Sequence, residues 1–159
     1  MKITLISVGK IKEKYLRDAI DEYSKRLSKY CKLKFIEVND EKAPDNLSGK
    51  DELIIKDREG SRILEKIKDR QYVVALDLKG KQRTSEEFSN EIENLSIYGN
   101  SDVVYIIGGS LGLSDDVVKR SNAQISFSEM TFPHQLMKVI LIEQIYRAFR
   151  IIKGEPYHK

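Results

Sequence analysis

Short apolar runs rich in β-branched residues alternate along this chain with longer stretches that repeat apolar residues at helical spacing. The run Tyr72–Leu78 is apolar almost without interruption, which is typical of a parallel strand covered on both faces. Similar patterns predict strands at Lys2–Val8, Leu33–Val38, Asp102–Ile107 and Ala123–Phe127, and helices at Lys12–Lys29, Asp51–Lys68, Ser85–Leu95, Asp115–Arg120 and Pro133–Ile152. This alternation favours an α/β fold with a parallel sheet covered on both faces, in one domain over residues 1–159.

Capping residues and glycines mark several of these boundaries. Thr84 or Ser85 is the predicted N-cap of the third helix, and Ser114 is that of the short fourth helix. Gly60 lies inside the second helix, so this stretch is either one helix kinked at Gly60 or two shorter helices. The segment Asn39–Gly49 is rich in turn residues and is predicted to be a mobile loop.

The composition argues against several classes of protein. No run of about 18 apolar residues is present, so we expect no membrane span. The apolar part of the first ten residues is too short for a signal peptide. Cys31 is the single cysteine, and His134 and His158 are the two histidines, so no zinc-ligand spacing occurs. We therefore expect a cytoplasmic protein without a bound metal.

The net charge of +3 is unevenly distributed. Residues 10–34 hold nine Lys or Arg against four Asp or Glu, and residues 133–159 hold five against two. Residues 35–132, in contrast, hold thirteen against nineteen. If the fold brings the basic ends together, they would form one surface that faces phosphates. The alternative is that these charges belong to solvated helix faces.

The last predicted helix is apolar around most of its circumference, from Leu136 through Ile140 and Ile145 to Ile152. A helix of this kind must be buried on nearly all sides. A second copy of the chain in a two-fold dimer would cover the face that the sheet does not reach. A fully central helix in a monomer is the alternative.

Three predicted strands end in small loops that expose the backbone. Asp102–Ile107 leads to Gly108-Gly109-Ser110-Leu111-Gly112, Ala123–Phe127 leads to residues 128–132, and the third strand ends at Leu76 to Gly80. The carboxyl ends of parallel strands form ligand crevices in α/β sheets. The glycines match neither GxGxxG nor a P-loop, which favours an adenosine-type ligand over ATP or NAD. Each loop by itself also fits a packing turn or a helix cap.

The chain ends in a cluster of titratable residues, Tyr157-His158-Lys159. His158 can exchange protons near neutrality, Tyr157 can stack on a base, and Lys159 can meet a phosphate. A disordered terminus is an equal alternative on composition alone.

Several strings taken together resemble the RlmH family of SPOUT methyltransferases, the large-subunit ribosomal RNA (pseudouridine-1915-N3) methyltransferases. They are IIGGSLG from residue 106, SFSEMTFPHQL from residue 126, EQIYRA from residue 143 and the terminal PYHK. The resemblance spans the whole chain, and its C-terminal part is very specific. It implies a deep C-terminal trefoil knot, a homodimer and S-adenosylmethionine as cofactor. The implied substrate is N3 of a pseudouridine in 23S ribosomal RNA, presented on the assembled ribosome.

The resemblance also implies roles for individual residues. Cofactor binding falls on the strand-end loops, at Leu76, Gly108, Gly109, Phe127, Ser128, Glu129, Met130, Thr131 and Phe132. Tyr157 and His158 match the family's catalytic end, with His158 as the candidate base. Arg147, Tyr157, His158 and Lys159 are the candidates for substrate binding. Three rival functions stay open: a transfer-RNA methyltransferase, a ribosome-binding factor without catalysis, and a small Rossmann-like nucleotide-binding domain.

Overall fold

Five strands and five helices alternate along the chain, as predicted. The computed structural model describes residues 1–159. The elements are β1 (Lys2–Val8), α1 (Lys14–Leu27), β2 (Lys32–Val38), α2 (Gly49–Leu64), β3 (Tyr72–Gln82), α3 (Ser85–Ile97), β4 (Asp102–Ile107), α4 (Asp115–Arg120), β5 (Ala123–Ser126) and α5 (His134–Ile152). No helix is long and apolar enough to cross a membrane.

The strands form one parallel sheet in the order β2-β1-β4-β3-β5. Helices α1, α3 and α5 pack together on one face, over the larger apolar cluster, and α2 and α4 pack together over the smaller cluster on the other. Because side chains alternate along a strand, Leu5 points to the first cluster and Ile6 to the second. The predicted α/β sheet with both faces covered is therefore confirmed.

Helix α5 is the middle helix of its layer, between α1 and α3. Its residues Leu141, Ile142 and Ile145 are fully buried. This position explains much of its apolar circumference, because the sheet and two neighbouring helices each cover one side.

Several predicted boundaries hold and others need correction. Thr84 caps α3 through a capping box with Glu87, and Ser114 caps α4 through the Val117 N–H. Helix α2 runs without interruption through Gly60, so the alternative of two shorter helices is wrong. Pro133 is the N-cap residue of α5, one position before the helix in which it was predicted.

Strand β3 is longer than its apolar run because it continues beyond Leu78 to Gln82. Its pairing with β5 is interrupted, since Ile125 is the partner of both Leu76 and Lys81. The residues between Leu76 and Lys81 form a bulge, and one of them lies very close to Ile125. A Cβ on Gly80 would lie 2.5 Å from the carbonyl carbon of Ile125. The backbones of β3 and β5 therefore approach each other here at a distance that only glycine allows.

Candidate active site at the carboxyl edge of the sheet

The three predicted cofactor loops meet at the carboxyl edge of the sheet. Leu76 pairs in register with Ile107 on one side and with Ile125 on the other. Gly108 comes directly after Ile107, and Phe127 comes two residues after Ile125. The parallel register therefore brings Leu76, the glycine turn and the 127–132 loop to one place.

The glycine turn over residues 108–112 is closed on itself. The Gly112 N–H donates to the Gly109 carbonyl at 3.1 Å, and Gly112 has φ +89°. A Cβ on Gly108 would lie 2.9 Å from the Gly112 carbonyl carbon and 3.0 Å from Leu113 Cδ2. Glycine at position 108 is thus required by the turn itself.

The backbone of this turn offers free donors. The amides of Ser110 and Leu111 donate to no other group of the protein, whereas Gly109 pairs with Gly112 in an isolated antiparallel bridge. In the second loop the Met130 N–H donates to Ser128 Oγ at 3.0 Å, whereas the Phe127, Glu129 and Thr131 amides have no acceptor. Such unpaired N–H groups at strand ends can bind the polar atoms of a ligand.

A cavity of about 290 Å³ lies beside these loops, between the end of β5, the start of α3 and helix α5. Of the predicted cofactor-binding residues, Phe127 and Phe132 line this cavity. Met130 is exposed and does not line it. The remaining lining residues are Arg83, Thr84, Ser85, Phe88, Ile125, Ser126, Ile140 and Gln144. Leu76 and the glycine turn lie outside the cavity lining. The structure therefore brings the predicted loops together at one edge of the sheet. Only the 127–132 loop lines the cavity, whereas Leu76 and the glycine turn lie beside it.

The C-terminal tail is folded back onto α5 rather than disordered. The Tyr157 hydroxyl donates to Glu143 Oε1 at 3.0 Å, and its ring meets Tyr146 edge-on with the ring centroids 4.9 Å apart. The Arg147 guanidinium lies 4.7 Å from the centroid of the Tyr157 ring and donates to Glu143 Oε1 at 2.7 Å. Burial, together with the Glu143 carboxylate, raises the pKa of Tyr157 above its usual value.

Both ring nitrogens of His158 have partners. Nδ1 lies 3.3 Å from Arg147 Nη1, and Nε2 lies 2.9 Å from Glu86 Oε1 on the first turn of α3. Because arginine can only donate, a neutral His158 here accepts at Nδ1 and carries its proton on Nε2. The hydrogen bond from His158 lowers the pKa of Glu86. Lys159 is exposed and takes part in no ion pair.

Glu143 connects the tail to the cavity. It accepts from Tyr157 and Arg147 through Oε1, and from Gln144 through Oε2 at 2.8 Å. Gln144 in turn accepts from Ser85 at 2.8 Å, and both residues line the cavity. The predicted substrate residues Arg147 and Tyr157 therefore lie two hydrogen bonds from the cavity wall, and His158 lies three, through Arg147.

Four further residues of the site, which were not among the predicted ones, differ in how clearly the sequence signals them. Glu143 and Gln144 are polar interruptions in an apolar helix, which is a detectable signal. Glu86 looks like an ordinary acidic residue in a helix first turn, and its link to His158 exists only in the folded chain. Glu59 carries no local signal, although its carboxyl group lies against Gly109.

The two basic ends of the chain do share one side of the molecule, because α1 packs against α5. Glu155 of the tail pairs with Arg150 and, at 3.8 Å, with Lys29 just after α1. No group of three or more His, Cys, Asp or Glu residues is arranged to hold a metal ion.

Comparisons with known proteins agree with this architecture. A family model described as "Predicted SPOUT methyltransferase" matches residues 1–158. Proteins named ribosomal RNA large subunit methyltransferase H from Clostridium botulinum (strain Eklund 17B / Type B) and methyltransferase H 1 from Clostridium perfringens (strain SM101 / Type A) are 66% and 64% identical over 159 residues, and each match covers both chains completely. The structure of the putative methyltransferase Lpg2936 from Legionella pneumophila, in complex with the bound cofactor SAM, is similar in fold. It has a TM-score of 0.50 and 11% identity, over 94% of this chain and 66% of that chain. The chain therefore belongs to the SPOUT methyltransferase family, among the proteins named ribosomal RNA large subunit methyltransferase H.

Proposed function

We propose that this chain is an S-adenosylmethionine-dependent methyltransferase that modifies N3 of a pseudouridine in 23S ribosomal RNA on the assembled ribosome. The observation that carries the proposal is full-length similarity, at 64–67% identity, to relatives named ribosomal RNA large subunit methyltransferase H. An enzyme with this substrate works in the cytoplasm, as a single domain over residues 1–159.

The strand-end loops fit the adenosyl cofactor in their chemistry. The free amides of Ser110 and Leu111 can donate to ring nitrogens and ribose oxygens, and Phe127 and Phe132 provide aromatic surface. Neither loop contains the basic side chain that would bind a chain of phosphates. When bound, the cofactor supplies a methyl group on a positively charged sulfur. Leu76 and the loop Ser128–Phe132 would complete its binding site.

The residues of the tail fit the proton chemistry of the substrate. N3 of pseudouridine is an imide nitrogen that must lose its proton before it can attack a methyl group. His158 is the candidate base. In the neutral tautomer described above, Nδ1 is the nitrogen without a proton and it accepts from Arg147, so the Arg147 contact must open before His158 can accept a proton. The bond from Nε2 to Glu86 can stay in place, and the carboxylate would stabilise the imidazolium that forms.

The neighbours of His158 suit the flat, charged substrate. Tyr157 offers a ring that can stack on a base once it leaves Tyr146. Arg147 and Lys159 can balance the negative charge that develops on the imide. Positioning these groups against the cofactor would supply the larger part of the rate enhancement.

We further infer that the C-terminal segment forms a deep trefoil knot and that two copies of the chain pair. The family match over residues 1–158 supports the knot, because the knot is the fold that the SPOUT resemblance implies. Half-buried apolar residues of α5, among them Val139, Ile140 and Ile151, support a partner on the face that α1 and α3 leave open. Sedimentation of the purified protein at micromolar concentration tests the pairing, and a single monomeric species would refute it.

The catalytic assignment is tested with His158→Ala, using His134→Ala, the other histidine of the chain, as the matched control. Methylation is measured by primer-extension stops on ribosomes that lack the modification. We expect turnover to fall by about two orders of magnitude or more for His158→Ala, with cofactor affinity unchanged. His134→Ala should retain normal turnover. Normal turnover in His158→Ala would remove His158 from the catalytic role.

The rival functions are separated by substrate and ligand. Methylation of ribosomes but not of bulk transfer RNA excludes the transfer-RNA enzyme. A thermal shift with S-adenosylmethionine, and none with ATP or NAD, excludes both the nucleotide-binding domain and a factor without a working pocket. Gly108→Val should abolish that shift, because its side chain collides with the turn. Normal cofactor binding by Gly108→Val would refute the placement of the cofactor.

A further inference from the structure

A buried carboxyl group lies behind the glycine turn, and the proposed chemistry does not use it. Glu59, on α2, is 4% exposed. Its Oε2 accepts from the Glu41 N–H at 3.0 Å, but its Oε1 has no hydrogen-bond partner. Buried polar atoms in native proteins are nearly always paired, so an orphaned carboxylate oxygen needs a specific reason.

The carboxyl group of Glu59 lies directly against the turn. A Cβ on Gly109 would lie 3.0 Å from Oε1 and 3.3 Å from Oε2. The next residue, Gly60, is packed just as closely on Ser114, where the loop ends and α4 begins. Two consecutive residues of α2 thus support the loop from behind, and Glu59 is held on a helix rather than on a flexible segment. Only the backbone of Gly109, which has no side chain, lies between the carboxyl group of Glu59 and the opposite side of the glycine turn.

No cation neutralises Glu59. Arg62 is close enough for its charge to oppose the rise in the pKa of Glu59, but it pairs with Glu41 and donates to the Asn39 carbonyl at 2.9 Å. Arg58 also faces Glu41 rather than Glu59. Asp40 and Glu41 add negative charge close by, and burial raises the pKa of Glu59. The back of the turn therefore carries an acidic group for which the protein provides no counter-ion.

We propose that Glu59 is a specificity-determining residue that selects the positively charged methyl donor over its neutral thioether product. The proposal rests on the cofactor assignment of the proposed function. S-adenosylmethionine and S-adenosylhomocysteine share their adenosyl and amino-acid groups, and differ by a methyl group and the charge on sulfur. A buried carboxylate on the far side of the Gly109 backbone would attract the positively charged ligand and not the neutral one. Glu59 thereby favours binding of the donor and release of the product.

The test compares the two ligands by isothermal titration calorimetry on the full chain. Glu59→Gln keeps the shape of the side chain and its acceptor for the Glu41 N–H, but removes the charge. We expect it to weaken S-adenosylmethionine about tenfold, or about 1.4 kcal/mol, and S-adenosylhomocysteine less than about twofold. Glu65→Gln removes an exposed carboxylate at the end of the same helix and should leave both affinities unchanged.

Two results would overturn the proposal. Equal weakening of both ligands would mean that Glu59 only supports the loop, and unchanged affinities would mean that its charge does not reach the ligand. Failure of the wild-type protein to bind either ligand would instead refute the cofactor assignment, so the two failures are distinguishable.

A measurement on the wild-type protein covers the case in which Glu59→Gln does not fold. The preference for donor over product should grow as the pH rises, because Glu59 attracts a cation only when ionised, and burial moves this change to a higher pH than for an exposed carboxyl group. Protein groups that act on both ligands alike cancel in the ratio of the two affinities. The charged groups around Glu59 are Asp40, Glu41, Arg58 and Arg62. A ratio that does not change with pH would overturn the proposal.

Discussion

At the scale of single residues, Lys138 shows how the core accommodates a charge. It lies on α5 and is 3% exposed, its Nζ donates to Glu37 Oε1 at 3.0 Å, and it lies 5.1 Å from the centroid of the Phe35 ring. The pair is asymmetric, because the Glu37 side chain is 34% exposed. Removing the carboxylate therefore leaves a buried cation, whereas removing the lysine leaves an anion that water can reach.

This asymmetry predicts different results for the two halves of the pair. Glu37→Gln should lower the free energy of unfolding by about 2–4 kcal/mol, because Lys138 keeps its charge in the core without a counter-charge. Lys138→Met fills the same volume without charge and should stay within about 1 kcal/mol of the wild type. Urea denaturation measures both. Equal losses would show that Glu37 is as dependent on the pair as Lys138.

Cys31 predicts how stability depends on alkaline pH. Burial raises the pKa of its thiol from 9.0 to about 11. Since the unfolded chain gives up this proton first, the contribution of Cys31 is fully present below about pH 9 and is lost as pH rises towards about 11. We expect Cys31→Ala to flatten this part of the stability curve, measured by urea denaturation at each pH. An equally steep decline in the variant would assign it to tyrosines such as Tyr105, whose pKa burial also raises.

Residue roles were predictable from the sequence where the residue type limits the chemistry, and unpredictable where the role depends on a distant partner. The aromatic residues Phe127 and Phe132 follow a strand, and they line a cavity as expected. Met130 in the same loop is 73% exposed, because the Ser128 hydroxyl holds a local turn there. The roles of Glu59 and Glu86 depend on contacts across the fold, which no local pattern encodes.

At the scale of elements, the contact between α2 and α4 reverses an ordinary preference. Replacing glycine inside a helix by alanine normally stabilises by about 1 kcal/mol. At Gly60 the new Cβ would lie 2.1 Å from Ser114 Oγ and 2.9 Å from Ser114 Cβ. The hydroxyl group cannot turn away freely, because it caps α4 at Val117.

We therefore expect Gly60→Ala to destabilise the protein by about 1–3 kcal/mol, as overpacking does. Gly49→Ala in the first turn of the same helix is the matched control, because no atom lies within 4 Å of its Cβ position. It should be neutral or slightly stabilising. Chemical denaturation of both variants decides the matter, and a stabilised Gly60→Ala would show that α2 and α4 can move apart at little cost.

Every element was predictable in type because each has a clear period, but some element ends were not. The end of β3 lies beyond its apolar run, since Lys81 and Gln82 pair with β5 although neither is apolar. Helix α2 continues through Gly60 because α4 packs against that position, which propensity alone cannot reveal. The order of the strands, with β4 in the centre, likewise depends on pairings between distant segments.

At the scale of the whole molecule, the fold places basic residues at the edge of the sheet that carries the site. Lys10 and Lys12 follow the carboxyl end of β1 and are exposed, and neither forms an ion pair. The Lys12 N–H donates to Gln135 Oε1 at 3.3 Å, which ties this segment to the start of α5. Lys66 and Lys68, in contrast, follow α2 and precede β3, so they lie at the opposite edge.

This placement predicts a directional effect of charge on ribosome binding. Replacing Lys10 and Lys12 by glutamine should weaken binding and lower the slope of log affinity against log salt concentration by up to about 2, because each phosphate contact releases roughly one counterion. The same replacements at Lys66 and Lys68 remove equal charge from the other edge and should change the slope by less than about 0.5. Binding is measured by co-sedimentation with ribosomes over a series of salt concentrations. Equal slopes for both double variants would mean that net charge alone drives association, and that RNA approaches without preference for the edge where the tail and the cofactor loops meet.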